Sequence, residues 1–130
     1  MKTITLRRVV ITGLGAVTDL GLDVDSTWEG MVSGKTGIGP ITAFEQDDEW
    51  TTRFAGEVKN FDYSKVADVR EARRMDRASL LGLVAAEEAA HDCGIDFASG
   101  DPDRRGVAIG SGIGGIITIE VGLQKLERSS

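Results

Sequence analysis

Gly106-Val-Ala-Ile-Gly-Ser-Gly-Ile-Gly-Gly115 is the stretch that decides the fold class. Gly106-Val-Ala-Ile109 is an apolar run of strand length, and the glycines after it lead into a helical pattern from Ile116 to Leu126. Strand, glycine turn and helix form the repeating step of a layered α/β protein. A similar step opens the chain, where Arg8-Val-Val-Ile-Thr12 is β-branched and bounded by Gly13 and Gly15. This reads as a buried, parallel-type first strand running into a loop.

Between these steps the spacing predicts helices. Asp25 or Ser26 is placed to cap a short amphipathic segment from Ser26 to Val32, with Trp28, Met31 and Val32 at i, i+3 and i+4 and Ser33-Gly34 as its end. The region from Gly34 to Pro40 reads as an irregular connection, and Arg53 to Val58 as a weaker strand. Asp62 to Ala67 reads as a helical turn. A stronger helix begins near Asp68 or Arg70, buries Leu80, Leu83, Val84 and Ala90, shows Glu87, Glu88 and Asp92 to water, and stops at Gly94. Asp96 to Arg105 is polar and reads as a loop. The expected order is strand, helices, strand, helix, in one unit spanning 1–130 with no second domain.

The chain has 130 residues, 15 basic and 21 acidic, for a formal charge of −6. That balance excludes general affinity for nucleic acid or anionic lipid, so an anionic partner must meet a local patch. About the whole net negative charge lies in the stretch 19–49, with Asp19, Asp23, Asp25, Glu29, Glu45, Asp47, Asp48 and Glu49 against Lys35 alone. The longest apolar run, Leu80 to Ala86, falls short of the roughly 20 residues that cross a bilayer. Lys2, Arg7 and Arg8 imitate a basic export signal, but Thr12, Gly13, Gly15 and Asp19 interrupt the apolar stretch that follows, which favours the strand. A lone Cys93 excludes an internal disulfide. With His91 as the sole histidine, the chain also has too few ligands for a zinc site of those types, so no metal is expected.

Three features bear on function. Gly110, Gly112 and Gly115 satisfy G-x-G-x-x-G between strand and helix, a pattern open to two readings: tight packing of strand on helix, or a nucleotide-phosphate site on a small non-catalytic α/β module. His91 and Cys93 invite a nucleophile pair, but residues two apart on a helix diverge, so Cys93 reads as helix-end packing. Arg70, Arg73, Arg74 and Arg77 stand at i, i+3, i+4 and i+7, which predicts one arginine face on a helix. In an acidic protein such a stripe is either a solvated helix end, helped by Glu71 and Asp76, or a docking surface for an anionic partner.

Taken in order, Arg8-Val-Val-Ile-Thr-Gly-Leu-Gly-Ala16, Ser26-Thr-Trp-Glu29 with Gly34-Lys-Thr-Gly-Ile38, Phe54-Ala-Gly56, Arg73-Arg-Met-Asp76 and Ile109-Gly-Ser-Gly-Ile-Gly-Gly115 form a set. The set resembles the front part of a β-ketoacyl-acyl carrier protein synthase, most closely the type II condensing enzymes of fatty-acid elongation, over essentially the whole chain. The resemblance implies a thiolase-like fold of two similar halves stacked as five layers, here the first part of the N-terminal half, in a cytoplasmic enzyme that works as a homodimer without a cofactor.

In that family an active-site cysteine takes the acyl chain, and decarboxylation of malonyl-acyl carrier protein supplies the attacking carbanion beside two histidines. All three residues lie beyond the matched segment, so no catalytic residue is expected here and Cys93 does not inherit the role. The resemblance assigns carrier-protein docking to Arg70, Arg73 and Arg74, with weaker support for Arg77, and an acyl-pocket or gating role to Ile113. Asp19 departs from the pattern, which often has proline there, and the change is expected to alter a loop. A polyketide ketosynthase or its chain-length partner shares the same motifs.

Overall fold

A computed structural model describes residues 7–129. Its longest element is a helix, Arg77–Asp92, begun by Asp76, whose side chain accepts from Ala78 N–H, and closed at Cys93 with Gly94 at φ +61°. The glycine stop is where the sequence puts it, because a positive φ strains any residue with a Cβ. Before this helix lie a turn in which Val66 and Ala67 both donate to Tyr63 O and a one-turn helix, Val69–Ala72. Two more helices flank the set, Val24–Val32 near the start and Ile116–Arg128 at the end. In chain order these helices are α1 (24–32), α2 (69–72), α3 (77–92) and α4 (116–128). A 3₁₀ turn at Pro102–Arg104 sits inside the expected loop.

Helix α3 organises the molecule. Leu80 packs with Ala67 and Ala72 as the buried core, and Phe61, Tyr63 and Val66 lie against them. Leu83 is exposed, so the expected apolar face is rotated towards Leu80, Leu81, Val84, Ala85 and Ala89. The acidic residues of α3 do not simply face water. Glu88 is half-buried: its two carboxylate oxygens accept from Ala16 N–H and from Val24 N–H, both at 2.8 Å. Asp92 accepts from Leu14 N–H at 2.9 Å. These bonds lay residues 13–16 along α3, and glycine permits it. A Cβ at Gly15 would overlap the Ala85 carbonyl, and one at Gly13 the Ala89 carbonyl and the Cys93 backbone.

Neither expected parallel strand forms. Residues 8–12 and 106–109 have no ladder, and Val9, Ile11, Val107 and Ile109 are 88%, 81%, 88% and 74% exposed. A parallel strand exists only beside a neighbour, and the described residues supply none. Instead the sheet is a small antiparallel pair, β1 (Ile38–Pro40) with β2 (Phe54–Gly56), in register Ile38↔Gly56, Gly39↔Ala55 and Pro40↔Phe54. β2 lies within the expected weak strand, whereas β1 falls in the stretch read as irregular. Pro40 is tolerated because it sits at the end of an edge strand. Asp19 lies against this pair, its carboxylate filling the space that a side chain at Gly37 or Gly56 would need.

α1 begins earlier than Asp25 or Ser26 suggested, because Asp23 is the cap and accepts from Ser26 N–H at 2.7 Å. Its expected core face is open: Trp28, Met31 and Val32 are all exposed. The total accessible surface is 11406 Å², against about 6,700 Å² for a folded monomer of this mass. The apolar faces of α1 and α4 and the two extended runs account for much of that excess.

Candidate functional site

The arginine-rich segment is built by two aspartate caps. Asp68 accepts from Arg70 N–H at 2.6 Å and Glu71 N–H at 2.9 Å, while Glu71 accepts from Asp68 N–H at 2.9 Å, completing a capping box. The helix so begun lasts one turn. Arg73 is its C-cap, and Arg74 and Met75 continue in turn geometry, donating to Glu71 O and Ala72 O. Asp76 has extended backbone, φ −70° and ψ 152°, and starts α3.

The four arginines therefore do not share one helix face. Arg70 lies on α2, Arg73 and Arg74 on the turn, and Arg77 opens α3. The spacing i, i+3, i+4 and i+7 presumes an unbroken helix, and an N-cap at Asp76 breaks it. Arg77 is also engaged internally: its Nη2 donates to Val58 O at 2.7 Å and its guanidinium lies 5.3 Å from the Phe61 ring centre. A group so held is poorly placed to receive a partner.

Arg73 and Arg74 edge a groove between the start of α3 and α4, with Arg77 and Lys125 on its wall and Leu80, Ile117 and Val121 among its apolar residues. Arg70 lies outside that lining. Among the described residues the only ion pair joins Arg53 to Asp48 at 3.8 Å, so Arg70, Arg73 and Arg74 carry uncompensated charge. Lys125 was not singled out by its sequence. Its spacing from Ile117 and Val121 marks one face of α4, but that this face meets the arginine turn is a long-range fact.

Asp76, which the sequence presents as a charge beside the arginines, has a larger part in the structure. One carboxylate oxygen accepts from Ala78 N–H at 3.1 Å and caps α3, while the other accepts from Thr118 N–H and Thr118 Oγ1, both at 3.0 Å. These donors, led by Ala78 N–H, hold its carboxyl below the usual aspartate range.

The glycine loop ends where this second cap acts. Gly115 begins α4 without a side-chain cap of its own, Gly114 has φ +72°, and Ser111 Oγ accepts from Gly114 N–H at 2.8 Å. Ile113 is 70% exposed on this loop and is not among the residues that line the groove beside Arg73 and Arg74. The donors a nucleotide phosphate would seek at the start of α4 already face a carboxylate, which weighs against the phosphate-binding reading of the glycines. His91 is exposed, and half-buried Cys93 donates its thiol to Ala90 O at 3.1 Å, the contact of a helix-end packing residue. Among the described residues no group of three or more His, Cys, Asp or Glu is placed to hold a metal ion, and no helix is long and apolar enough to cross a membrane.

Residues 6–129 match the family described as "Beta-ketoacyl synthase, N-terminal domain". The chain is 42% identical over 120 residues to "3-oxoacyl-[acyl-carrier-protein] synthase 2" of Synechocystis sp., covering 92% of this chain and 29% of that protein. It is 45% identical over 120 residues to the protein of the same name from Staphylococcus aureus (strain COL), with the same coverage of 92% and 29%. Among solved structures, "The ishigamide ketosynthase/chain length factor" superposes with a TM-score of 0.74 at 27% identity, over 95% of this chain and 30% of that one. The chain thus spans about 29% of the length of the curated relatives it matches.

Proposed function

The chain belongs to the β-ketoacyl synthase family, matching its N-terminal domain within a thiolase-like fold, and on that footing we propose that it is part of a 3-oxoacyl-[acyl carrier protein] synthase. In this reading the complete enzyme elongates acyl chains in fatty-acid biosynthesis by decarboxylative Claisen condensation with malonyl-acyl carrier protein. It works in the cytoplasm as a homodimer. The segment of 130 residues contributes carrier docking and part of the acyl pocket, while the nucleophile comes from elsewhere in the enzyme.

The observation that carries the reading is the pair Arg73 and Arg74, unpaired on the rim of a groove in a protein of net charge −6. An acidic carrier is drawn to such a local positive edge in an otherwise negative protein. Arg70 adds charge beside the groove and Lys125 adds it from α4. Arg77 serves the fold through Val58 and Phe61. Ile113 lies between glycines that let it shift at little steric cost, as an acyl-gating side chain requires.

Condensation assayed with the complete enzyme tests the reading. Product from malonyl-acyl carrier protein and a fatty acyl thioester supports it, and substitution Ile113→Phe should shorten the acyl chains accepted. An unaltered length profile would remove Ile113 from the pocket. The likeness to a ketosynthase/chain length factor supports a second reading, a polyketide ketosynthase or its non-condensing partner. Selective use of a polyketide carrier protein, or no condensation by an intact enzyme, would favour that alternative.

A further inference from the structure

Asp76 stands two residues after Arg74, and among the described residues its carboxylate is the one side chain that bonds to the first turns of both α3 and α4. A carboxylate is rigid, so a displacement at the start of α3 is passed to Thr118 through its second oxygen. α4 has little else to hold its beginning: Gly115 supplies no cap and no residue of α4 is buried. Ile113 reaches that beginning through Gly114, at φ +72°, and Gly115. The groove beside Arg73 and Arg74 is also walled by Ile117, Thr118, Val121 and Lys125 of α4, so an occupant touches both elements that Asp76 joins.

We propose that Asp76 is a positioning residue linking the arginine turn to the glycine loop, so that a carrier protein seated on Arg73 and Arg74 resets Ile113 and with it the acyl lengths accepted. The inference rests on the docking and pocket roles proposed above and adds a coupling between them. Such a coupling requires that docking and loop position bias one another reciprocally.

The test uses the complete enzyme and measures the ratio of long to short acyl groups accepted, once with thioesters on acyl carrier protein and once with free pantetheine thioesters that cannot dock. The native enzyme should show ratios differing by about fivefold or more between the two donors, the lower range of energetic coupling between sites. Asp76→Asn, which puts an amide where the carboxylate accepts from Thr118, should bring the two ratios together. So should Thr118→Val, to a smaller extent, and this second variant leaves the α3 cap intact should the first fail to fold.

Equal ratios for both donors in the native enzyme, or an undiminished difference in Thr118→Val, would overturn the coupling. Failure of the underlying roles reads out separately. Arg73→Glu with Arg74→Glu would leave carrier affinity unchanged if docking is elsewhere, and Ile113→Phe would leave both ratios unchanged if the pocket is elsewhere.

Discussion

Helices α3 and α4 come from equally plain helical spacing, yet they end in different circumstances. α3 buries Leu80 against Ala67 and Ala72, carries residues 13–16 on Ala85 and Ala89, and holds other segments through Asp76, Glu88 and Asp92. α4 buries nothing and begins on a glycine, with Asp76 of the other helix as its cap. The difference teaches that periodicity makes a helix, while its neighbours decide what the helix does. The groove with the unpaired arginines lies where these two helices meet.

The contrast is open to direct attack. The largest effect is expected at Gly15→Val, whose side chain would overlap the Ala85 carbonyl. Hydrogen exchange should show the protection of α3 falling by about 3 kcal/mol, the upper range for overpacking. A protected α3 in this variant would show that residues 13–16 are not laid along it. Next comes a matched truncation. Leu80→Ala should cost about 2–3 kcal/mol, and Leu123→Ala, 57% exposed on α4, less than about 0.5 kcal/mol. Comparable costs measured by denaturation would erase the distinction between the helices.

A finer test uses pH. The carboxyl of Asp76 is lowered from the usual 3.8, so its contribution is complete above that value and is lost as pH falls through the lowered one. Acidification should therefore release the first turn of α4 in the native protein, beyond the general effect of the other lowered carboxyls, Asp23, Glu57 and Asp62. Asp76→Asn should lack that increment. Identical acid profiles of α4 exchange in the two proteins would show that the cap does not hold this helix.

Much of this arrangement is legible in the amino-acid order where the cause is local. Gly94 stops α3 and the run from Ile116 makes α4, whereas Gly13 and Gly15 read as the bounds of a strand and show their close approach to a helix only in the structure. The start at Asp68 is legible, since Asp68-Val-Arg-Glu71 is a capping signal, but the break at Asp76 is not, because the regular arginine spacing points to one long helix. The second bond of Asp76 joins residues far apart in the chain, and no local pattern announces it. The runs at 8–12 and 106–109 have strand composition without strand structure, because pairing is a property of two segments and the described residues provide only one. Trp28, Met31 and Val32 are exposed for the same reason: their spacing marks an apolar face, and no described element covers it. Of the site, the arginines stand out by spacing and take their carrier-docking role from resemblance, as Ile113 takes its pocket role, whereas Lys125 and Asp76 emerge only when α3 and α4 are seen together.

The central claim is that the arginine turn receives an acidic carrier protein by charge. Titration of the complete enzyme with acyl carrier protein at low and at raised ionic strength measures it directly, since exposed charges are screened over about 10 Å at 0.1 M salt. Arg73→Glu with Arg74→Glu should weaken binding strongly at low salt, and the gap from the native enzyme should narrow as salt rises. Equal affinity of the two proteins at low ionic strength would contradict the account.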